Sequence, residues 1–86
     1  MQIKYSKQAV KAIQKLPKDV AKLVKVAIEG LTETPPKGDI KTMQGYSDGR
    51  KRLRVGKYRV IYQYLDDGEI YVWIIDIGSR GDIYKK

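Results

Sequence analysis

Five arginines in the second half of the chain are the side chains best suited to chemistry on an anion. Arg50, Arg52 and Arg54 occupy every second position of one segment, so a β-strand would place them on one face, about 6–7 Å apart. Arg59 follows after a short turn, and Arg80 lies beyond the last apolar run. A guanidinium stays charged and offers paired planar donors. The set could therefore bind a phosphate and stabilise charge that develops on its oxygens.

A tyrosine near the end of the sequence could extend this site. Tyr84 stands in a polar, glycine-bearing segment, where packing makes few demands on its ring.

The basic residues have an alternative role that involves no ligand. On an edge strand they can serve only to keep the edge soluble, and this alternative applies most to Lys51 and Lys57.

The composition excludes several classes of chemistry. The 86 residues contain no cysteine and no histidine, which excludes a disulfide scaffold, a thiolate metal site, a cysteine nucleophile and a histidine general base. The net charge of +8 favours a polyanionic partner. The longest apolar stretch is only a few residues, and no charged-then-apolar leader opens the chain, so we expect a cytoplasmic protein with no membrane span.

Two further sets of residues each have a second interpretation. The acidic residues of segment 66–69 could bind a cation, but the chemistry of a hairpin turn explains them better, and no pattern of metal ligands is present. Four strand aromatics could stack on nucleic-acid bases, but aromatics at alternate strand positions usually pack against helices, and we expect most of them in the core. These aromatics are Tyr62, Tyr64, Tyr71 and Trp73.

Hydrophobic periodicity predicts the elements that must position these side chains. Segment 2–5 alternates like a strand, and Ser6 is a candidate N-cap for a helix that ends before Pro17. A second amphipathic helix follows, with an apolar stripe formed by Val20, Leu23, Val24, Ala27, Ile28 and Leu31.

A polar loop should then lead to about Gly49, after which the period changes to two. Strands are predicted over 50–55, 58–65 and 70–77, the last being the central strand, buried on both faces. Gly68 should provide the positive φ of the hairpin turn between the last two strands. The expected fold is α+β with the order β-α-α-β-β-β: a single domain over 1–86 in which a helical hairpin packs on one face of a four-stranded antiparallel sheet.

Three stretches of the chain resemble the RelE family of bacterial toxins, within the RelE/ParE superfamily. They are IQKLPKDV in the helical hairpin, MQGYSDGRKRLRVGKYRVIY through the basic strands and IGSRGDIY near the end. The resemblance spans nearly the whole chain and rests on the order and spacing of these stretches. It implies the toxin of a type II toxin–antitoxin pair, a ribosome-dependent endoribonuclease that inhibits translation by cutting mRNA in the decoding site.

The family's site residues carry over to named positions of this sequence. The implied catalytic set is Arg50, Arg52, Arg59, Arg80 and Tyr84, and the flanking RNA contacts are Lys41, Lys51, Arg54 and Lys57. Some members of the family have lysines at the positions of Arg50 and Arg52, and other branches have Glu and His in the site. This chain has neither pattern. The implied cleavage uses the RNA 2′-hydroxyl, without a metal or another cofactor, and gives a 2′,3′-cyclic phosphate and a 5′-hydroxyl.

The resemblance also implies partners and leaves two other functions open. The partners are a RelB-like cognate antitoxin, the 70S ribosome with its mRNA, and operator DNA bound through the antitoxin. One alternative is a ParE-like toxin that shares the fold but inhibits DNA gyrase. The other is a nucleic-acid-binding module or attenuated toxin that binds RNA without cutting it.

Overall fold

The computed structural model describes residues 1–43, 45 and 48–79, and its order of elements confirms the predicted α+β fold with one strand added. The strands are β1 (Gln2–Tyr5), β2 (Asp39–Thr42), β3 (Lys51–Val55), β4 (Tyr58–Asp66) and β5 (Ile70–Ser79). The helices are α1 (Lys7–Gln14) and α2 (Lys18–Glu29), followed by a short 3-10 turn over Gly30–Thr32. No helix in the described part of the chain is long and apolar enough to span a bilayer.

The sheet has five strands in the order β1-β5-β4-β3-β2, rather than the four that we predicted. The added strand, β2, falls in the segment predicted as a loop, because only Ile40 among its four residues is apolar. It forms as an edge strand by pairing with β3, with Ile40 opposite Leu53. The prediction of a purely antiparallel sheet is wrong for one pair, since β1 lies parallel to β5. Periodicity reports which residues share a face, but the path of the helical hairpin sets the direction of β1.

Both helices lie on one face of the sheet and enclose the core there. The buried core consists of Ala9, Val24, Ile28, Leu31, Leu53, Val60, Tyr62, Val72, Ile74 and Ile77. The buried apolar stripe of α2 is narrower than predicted, because Leu23 is 63% exposed while Val24 and Ile28 are fully buried.

Strand β5 is an interior strand, but β4 is the central one, and β5 is buried on one face only. Val72 and Ile74 point into the core, whereas Tyr71 and Trp73 lie half-buried on the face away from the helices. The expectation of core positions is therefore wrong for these two aromatics. It holds for the two aromatics of β4, Tyr62 and Tyr64.

Ser6 is the N-cap of α1, as predicted, and it also ties the helix to β5. Its hydroxyl accepts a hydrogen bond from the Ala9 amide at 3.0 Å and donates one to the Ile75 carbonyl at 2.7 Å. Ile75 is the extra residue of a bulge in β5, where the register with β4 shifts. The hydroxyl of Ser6 thus gives the carbonyl of the bulged residue a hydrogen-bond partner, and the same contact ties α1 to the sheet.

Substituting Gly38 by alanine should destabilise the protein more than the same change at Gly68. Both glycines have a positive φ, 119° and 116°, so each substitution carries a similar backbone cost of about 1 kcal/mol. A Cβ on Gly38 would also lie 2.6 Å from Cδ1 of the buried Leu53, whereas one on Gly68 meets nothing within 4 Å. We expect the free energy of unfolding in urea to fall by about 1–2 kcal/mol more for Gly38→Ala. Equal losses would contradict the tight contact with Leu53.

Tyr62 should make the protein less stable in alkali. Burial, reinforced by the neighbouring Tyr64, raises the pKa of its hydroxyl above the ordinary value of 10.0. Above about pH 10 the unfolded chain therefore releases a proton that folded Tyr62 keeps, and the free energy of unfolding falls by up to about 1.4 kcal/mol per pH unit. Urea unfolding between about pH 9 and pH 11 should show a shallower decline for Tyr62→Phe. Some slope should remain, because the pKa values of Tyr5 and Tyr64 are also raised by burial. An unchanged slope would count against Tyr62 as its source.

Candidate anion-binding site on the open face of the sheet

The face of the sheet away from the helices carries a set of basic residues that we call the arginine face: Lys41, Arg52, Arg54 and Arg59. Its position follows from strand alternation. Leu53 points into the core, so its neighbours Arg52 and Arg54 point to the other side. The two arginines therefore share a face, as the alternation predicted, and the register of β3 and β4 places Arg59 on the same face, opposite Arg54.

The arginine face is built from two rows of residues that run across neighbouring strands. In one row Lys41, Arg52 and Ile61 are direct partners, and in the other Asp39, Arg54, Arg59 and Gly78 are. Directly paired residues of an antiparallel sheet have Cβ atoms about 4.5–5.5 Å apart. Paired cations such as Arg54 and Arg59 therefore lie close enough for one anion to contact both.

One carboxylate only partly neutralises these cations. Oδ1 of Asp39 lies 3.7 Å from Nη2 of Arg52, and Oδ2 lies 3.8 Å from Nε of Arg54. Both distances exceed that of a hydrogen bond, and Asp39 is about half exposed. Arg52 and Arg54 thus share this carboxylate, which balances at most one of their two charges.

Two of the guanidinium-bearing side chains are buried. Arg52 is 8% exposed and Arg59 is 5% exposed, although arginine is rarely buried unless it is paired. The Nε of Arg52 has no hydrogen-bond partner among the described residues. Burying the charge of Arg52 with such loose pairing costs stability, and sites that hold a fixed charge ready for a ligand carry this kind of cost.

Arg50 lies beside the arginine face rather than in its strand. β3 begins one residue later, and Gly49, with a φ of 80°, precedes Arg50. The Nε of Arg50 donates to Oδ2 of Asp48 at 2.9 Å, an ion pair that sequence periodicity gave no reason to expect. Nε2 of Gln63, on the open face, donates to the Asp48 carbonyl at 2.9 Å. This contact ties the segment that carries Arg50 to the open face of β4.

The remaining predicted site residues have different positions. Lys51 is paired with the core residue Tyr62, so it points to the helix side of the sheet. Lys57 lies in the turn before β4, with its Nζ 5.5 Å from the centroid of the Tyr58 ring. Arg80 and Tyr84 lie outside the described residues.

Sequence reasoning missed two contributors to the open face. Asp39 belongs to the strand that was predicted as a loop, so its approach to the arginines had no signal in the periodicity. Lys4 pairs with Trp73 across β1 and β5, and its Nζ lies 4.4 Å from the centroid of the Tyr71 ring. The parallel pairing of β1 with β5 brings this lysine to the aromatic part of the open face.

The chemistry that this arrangement supports is anion binding and charge stabilisation. In residues 1–43, 45 and 48–79, no three acidic side chains come together as metal ligands. Paired guanidinium donors fit the oxygens of a phosphodiester, and buried ones act on developing charge more strongly than ones in open water. A phosphate chain laid across the two rows would meet up to four cations.

Comparisons with known proteins agree with this fold. A family model described as ParE toxin of type II toxin–antitoxin system, parDE, matches residues 3–84. The chain is 37% identical to a protein of Methanocaldococcus jannaschii named "Putative toxin RelE1", over 96% of this chain and 93% of that one.

Solved structures of similar fold include the RelB–RelE antitoxin–toxin complex of Methanococcus jannaschii, at 27% identity and a TM-score of 0.70, covering 94% of each chain. The isolated Escherichia coli RelE toxin matches at 23% identity and a TM-score of 0.72, covering 98% of this chain and 90% of that one. At 23% identity, the match to the Escherichia coli toxin shows a shared fold only.

Proposed function

The chain is a toxin of the RelE/ParE family of type II toxin–antitoxin systems, and on that premise we propose that it cleaves mRNA in the ribosomal A site. The arginine face is the observation that carries this proposal. Arg59 is almost fully buried, directly opposite Arg54 and diagonal to Arg52, so the strand register brings three arginines side by side on one face of the sheet. A catalyst that stabilises a crowded, negatively charged phosphate needs such preorganised donors.

The RNA supplies its own nucleophile in the proposed reaction. The 2′-oxygen forms a bond to the adjacent phosphorus as it loses its proton, and the bond from phosphorus to the 5′-oxygen breaks. That oxygen takes up a proton, so the products are a 2′,3′-cyclic phosphate and a 5′-hydroxyl. Because the nucleophile is already in place, the protein's task is to orient it in line and to stabilise charge.

The roles proposed for the arginines follow from their positions. Arg59 stabilises the charge on the scissile phosphate. Arg50 and Arg52 hold the flanking phosphates. Lys41 and Arg54, which share the arginine face, contact the flanking RNA. The other two predicted RNA contacts lie away from that face, because Lys51 points to the helix side of the sheet and Lys57 lies in the turn before β4.

Arg80 and Tyr84 complete the proposed site, and their roles rest on the family resemblance. Arg80 directly follows β5, whose Gly78 is the partner of Arg59. We assign Arg80 to the leaving 5′-oxygen and Tyr84 to base stacking or proton relay.

A cognate antitoxin is the partner expected of a type II toxin. The similar Methanococcus jannaschii structure is a RelB–RelE antitoxin–toxin complex, and we propose a RelB-like antitoxin for this chain. The net charge of +8 favours an acidic antitoxin segment that folds on the toxin surface. We further propose that the complex binds its operator DNA through the antitoxin and that the free toxin acts in the cytoplasm, where ribosomes carry mRNA.

The test compares one defined mRNA on programmed 70S ribosomes with the same mRNA free in solution. Primer extension should map new 5′ ends within the decoding-site codon only when ribosomes are present. A parallel reaction with Arg59→Gln controls for a contaminating nuclease, because such a contaminant would cut in both preparations. Intact mRNA in every reaction would contradict the proposal.

Gyrase inhibition is the second candidate function, because the matching family model describes ParE toxins. Supercoiling by purified gyrase, measured with the same protein preparation, separates the two. Loss of supercoiling together with intact mRNA would favour the ParE-like function. RNA that is bound but never cut would instead favour a binding module.

A further inference from the structure

A cleft of about 610 Å³ lies between α1 and one end of the sheet, on the helix side and thus opposite the arginine face. Gln8, Lys11 and Lys15 line it from the α1 segment, at a spacing of i, i+3 and i+7 that places them on one helix face. The other wall consists of Lys57, in the turn before β4, Tyr58, the first residue of β4, and residues 76–79 of β5. The volume is that of a site for a small ligand or for one or two nucleotides.

The cleft has an excess of positive charge. Lys11, Lys15 and Lys57 line it, and no carboxylate forms an ion pair with them in the described part of the chain. Asp76 also lines the cleft, but its oxygens already accept hydrogen bonds from Nε2 of Gln8 at 3.0 Å and from the Ile77 amide at 2.8 Å. These neutral donors leave the charge of Asp76 in place, so the lining carries three lysines against one carboxylate, an excess that favours an anionic ligand.

An aromatic ring beside the lysines narrows the class of anion. Tyr58 is half-buried in the cleft wall, with Nζ of Lys57 5.5 Å from its ring centroid. Single-stranded nucleic acid is held by this combination, in which cations contact the phosphates and a base stacks on the ring. An acidic peptide would use the lysines but gain much less from the ring.

The cleft and the arginine face meet at the same end of the sheet. Tyr58 and Arg59 are consecutive in β4, so their side chains point to opposite faces, and their partners in β5 are the consecutive Ser79 and Gly78. The turn of Gly56 and Lys57 closes this end. An RNA strand that leaves Arg59 can therefore pass around the turn and reach the lysine cleft within a few nucleotides.

We propose that this cleft is a second RNA-binding site, which holds the backbone of the RNA a few nucleotides from the phosphate at Arg59. The proposal rests on the proposed function, in that the substrate is RNA. It assigns Lys11, Lys15 and Lys57 to phosphates and Tyr58 to a base.

The test measures binding of a labelled single-stranded RNA of about twelve nucleotides to the full chain over a series of salt concentrations. The cleft variant is Lys11→Gln/Lys15→Gln/Lys57→Gln. The matched control, Lys18→Gln/Lys22→Gln/Lys25→Gln, removes the same charge from exposed positions of α2. Each lost phosphate contact reduces the magnitude of the slope of log K against log salt by about 0.7. The slope of the cleft variant should therefore be smaller in magnitude by about 2, and that of the control should change clearly less. Equal losses would overturn the proposal.

Variants of Tyr58 separate nucleic acid from other polyanions. Tyr58→Leu should weaken RNA binding by about 5- to 100-fold, while Tyr58→Phe, which keeps the ring, should bind like the unmodified chain. A polyglutamate peptide is the second probe. If the cleft variant loses affinity for RNA and polyglutamate in the same proportion and Tyr58→Leu affects neither, the cleft is a general anion surface and the proposal fails. Circular dichroism and the unfolding midpoint check that each variant is folded.

These binding measurements need no ribosome, so they fail separately from the nuclease proposal. A chain that cuts mRNA on ribosomes while the two triple variants bind RNA equally would remain a nuclease without a second site. If the cleft variant shows the expected change in slope but the unmodified chain never cuts mRNA, the cleft remains an RNA-binding site and the proposed nuclease activity is wrong.

Discussion

Replacing Arg59 by glutamine is expected to lower mRNA cleavage on programmed ribosomes by about 10²- to 10³-fold and to abolish growth arrest. Arg59 is 5% exposed, and its partner across β3 and β4 is Arg54. Its guanidinium is thus held in place, largely removed from water, before any substrate binds. A donor fixed in this way needs no reorganisation when charge develops on the phosphate, which is why its loss should affect the reaction more than the binding.

Glutamine is chosen because it keeps part of the buried stem of Arg59 and avoids the cavity that alanine would leave. Arg54→Gln is the matched control, since Arg54 lies on the same face, directly opposite, with about half of its side chain exposed. Its loss should reduce cleavage by about tenfold or less, because an exposed charge is screened by water. Arg59→Lys, which keeps the charge but not the planar pair of donors, should fall between the two.

The cleavage rate on ribosomes and the unfolding midpoint should be measured for the same preparations. A folded Arg59→Gln protein that cuts mRNA at the normal rate would refute the role of Arg59 in stabilising the phosphate. Equal losses for Arg54→Gln and Arg59→Gln would show that the net charge of the surface matters, and that the buried position of Arg59 does not.

Replacing Arg52 by methionine is expected to raise the free energy of unfolding by about 1–3 kcal/mol while it lowers cleavage by at least about tenfold. Arg52 is 8% exposed, its Nε has no hydrogen-bond partner in the described part of the chain, and its contact with Asp39 is long, at 3.7 Å. Methionine fills a similar volume without a charge to desolvate. Asp39 loses little, because it is about half exposed and stays close to Arg54.

Opposite changes in stability and activity would distinguish a functional arginine from a structural one. Arg54→Met provides the control, since Arg54 contacts the same carboxylate but is about half exposed, and its unfolding free energy should change by less than about 0.5 kcal/mol. Urea unfolding gives the stabilities, and ribosomal cleavage gives the activities. A large loss of stability in Arg52→Met would mean that the ion pair with Asp39 holds the sheet edge together, and that the arginine serves the fold.

Local patterns in the sequence were sufficient for the parts of the site that depend on neighbouring residues along one strand. Alternation put Arg52 and Arg54 on the face opposite Leu53, because the side-chain period of a strand is two wherever the strand lies in the sheet. Ser6 was recognisable as an N-cap and Gly68 as a turn residue, since both act within a few residues of themselves.

Only the tertiary structure decided which charges and surfaces come together. Asp39 reaches Arg52 because β2, with a single apolar residue, pairs with β3. Strand pairing of this kind is a long-range event that leaves no periodic signal. Leu23 fits the apolar pattern of α2 as well as Val24 does, yet it is 63% exposed, because the breadth of the buried stripe depends on what the helix packs against. The sequence determined the family, the fold class and the basic strand, whereas long-range packing produced the buried guanidinium groups and the lysine cleft behind them.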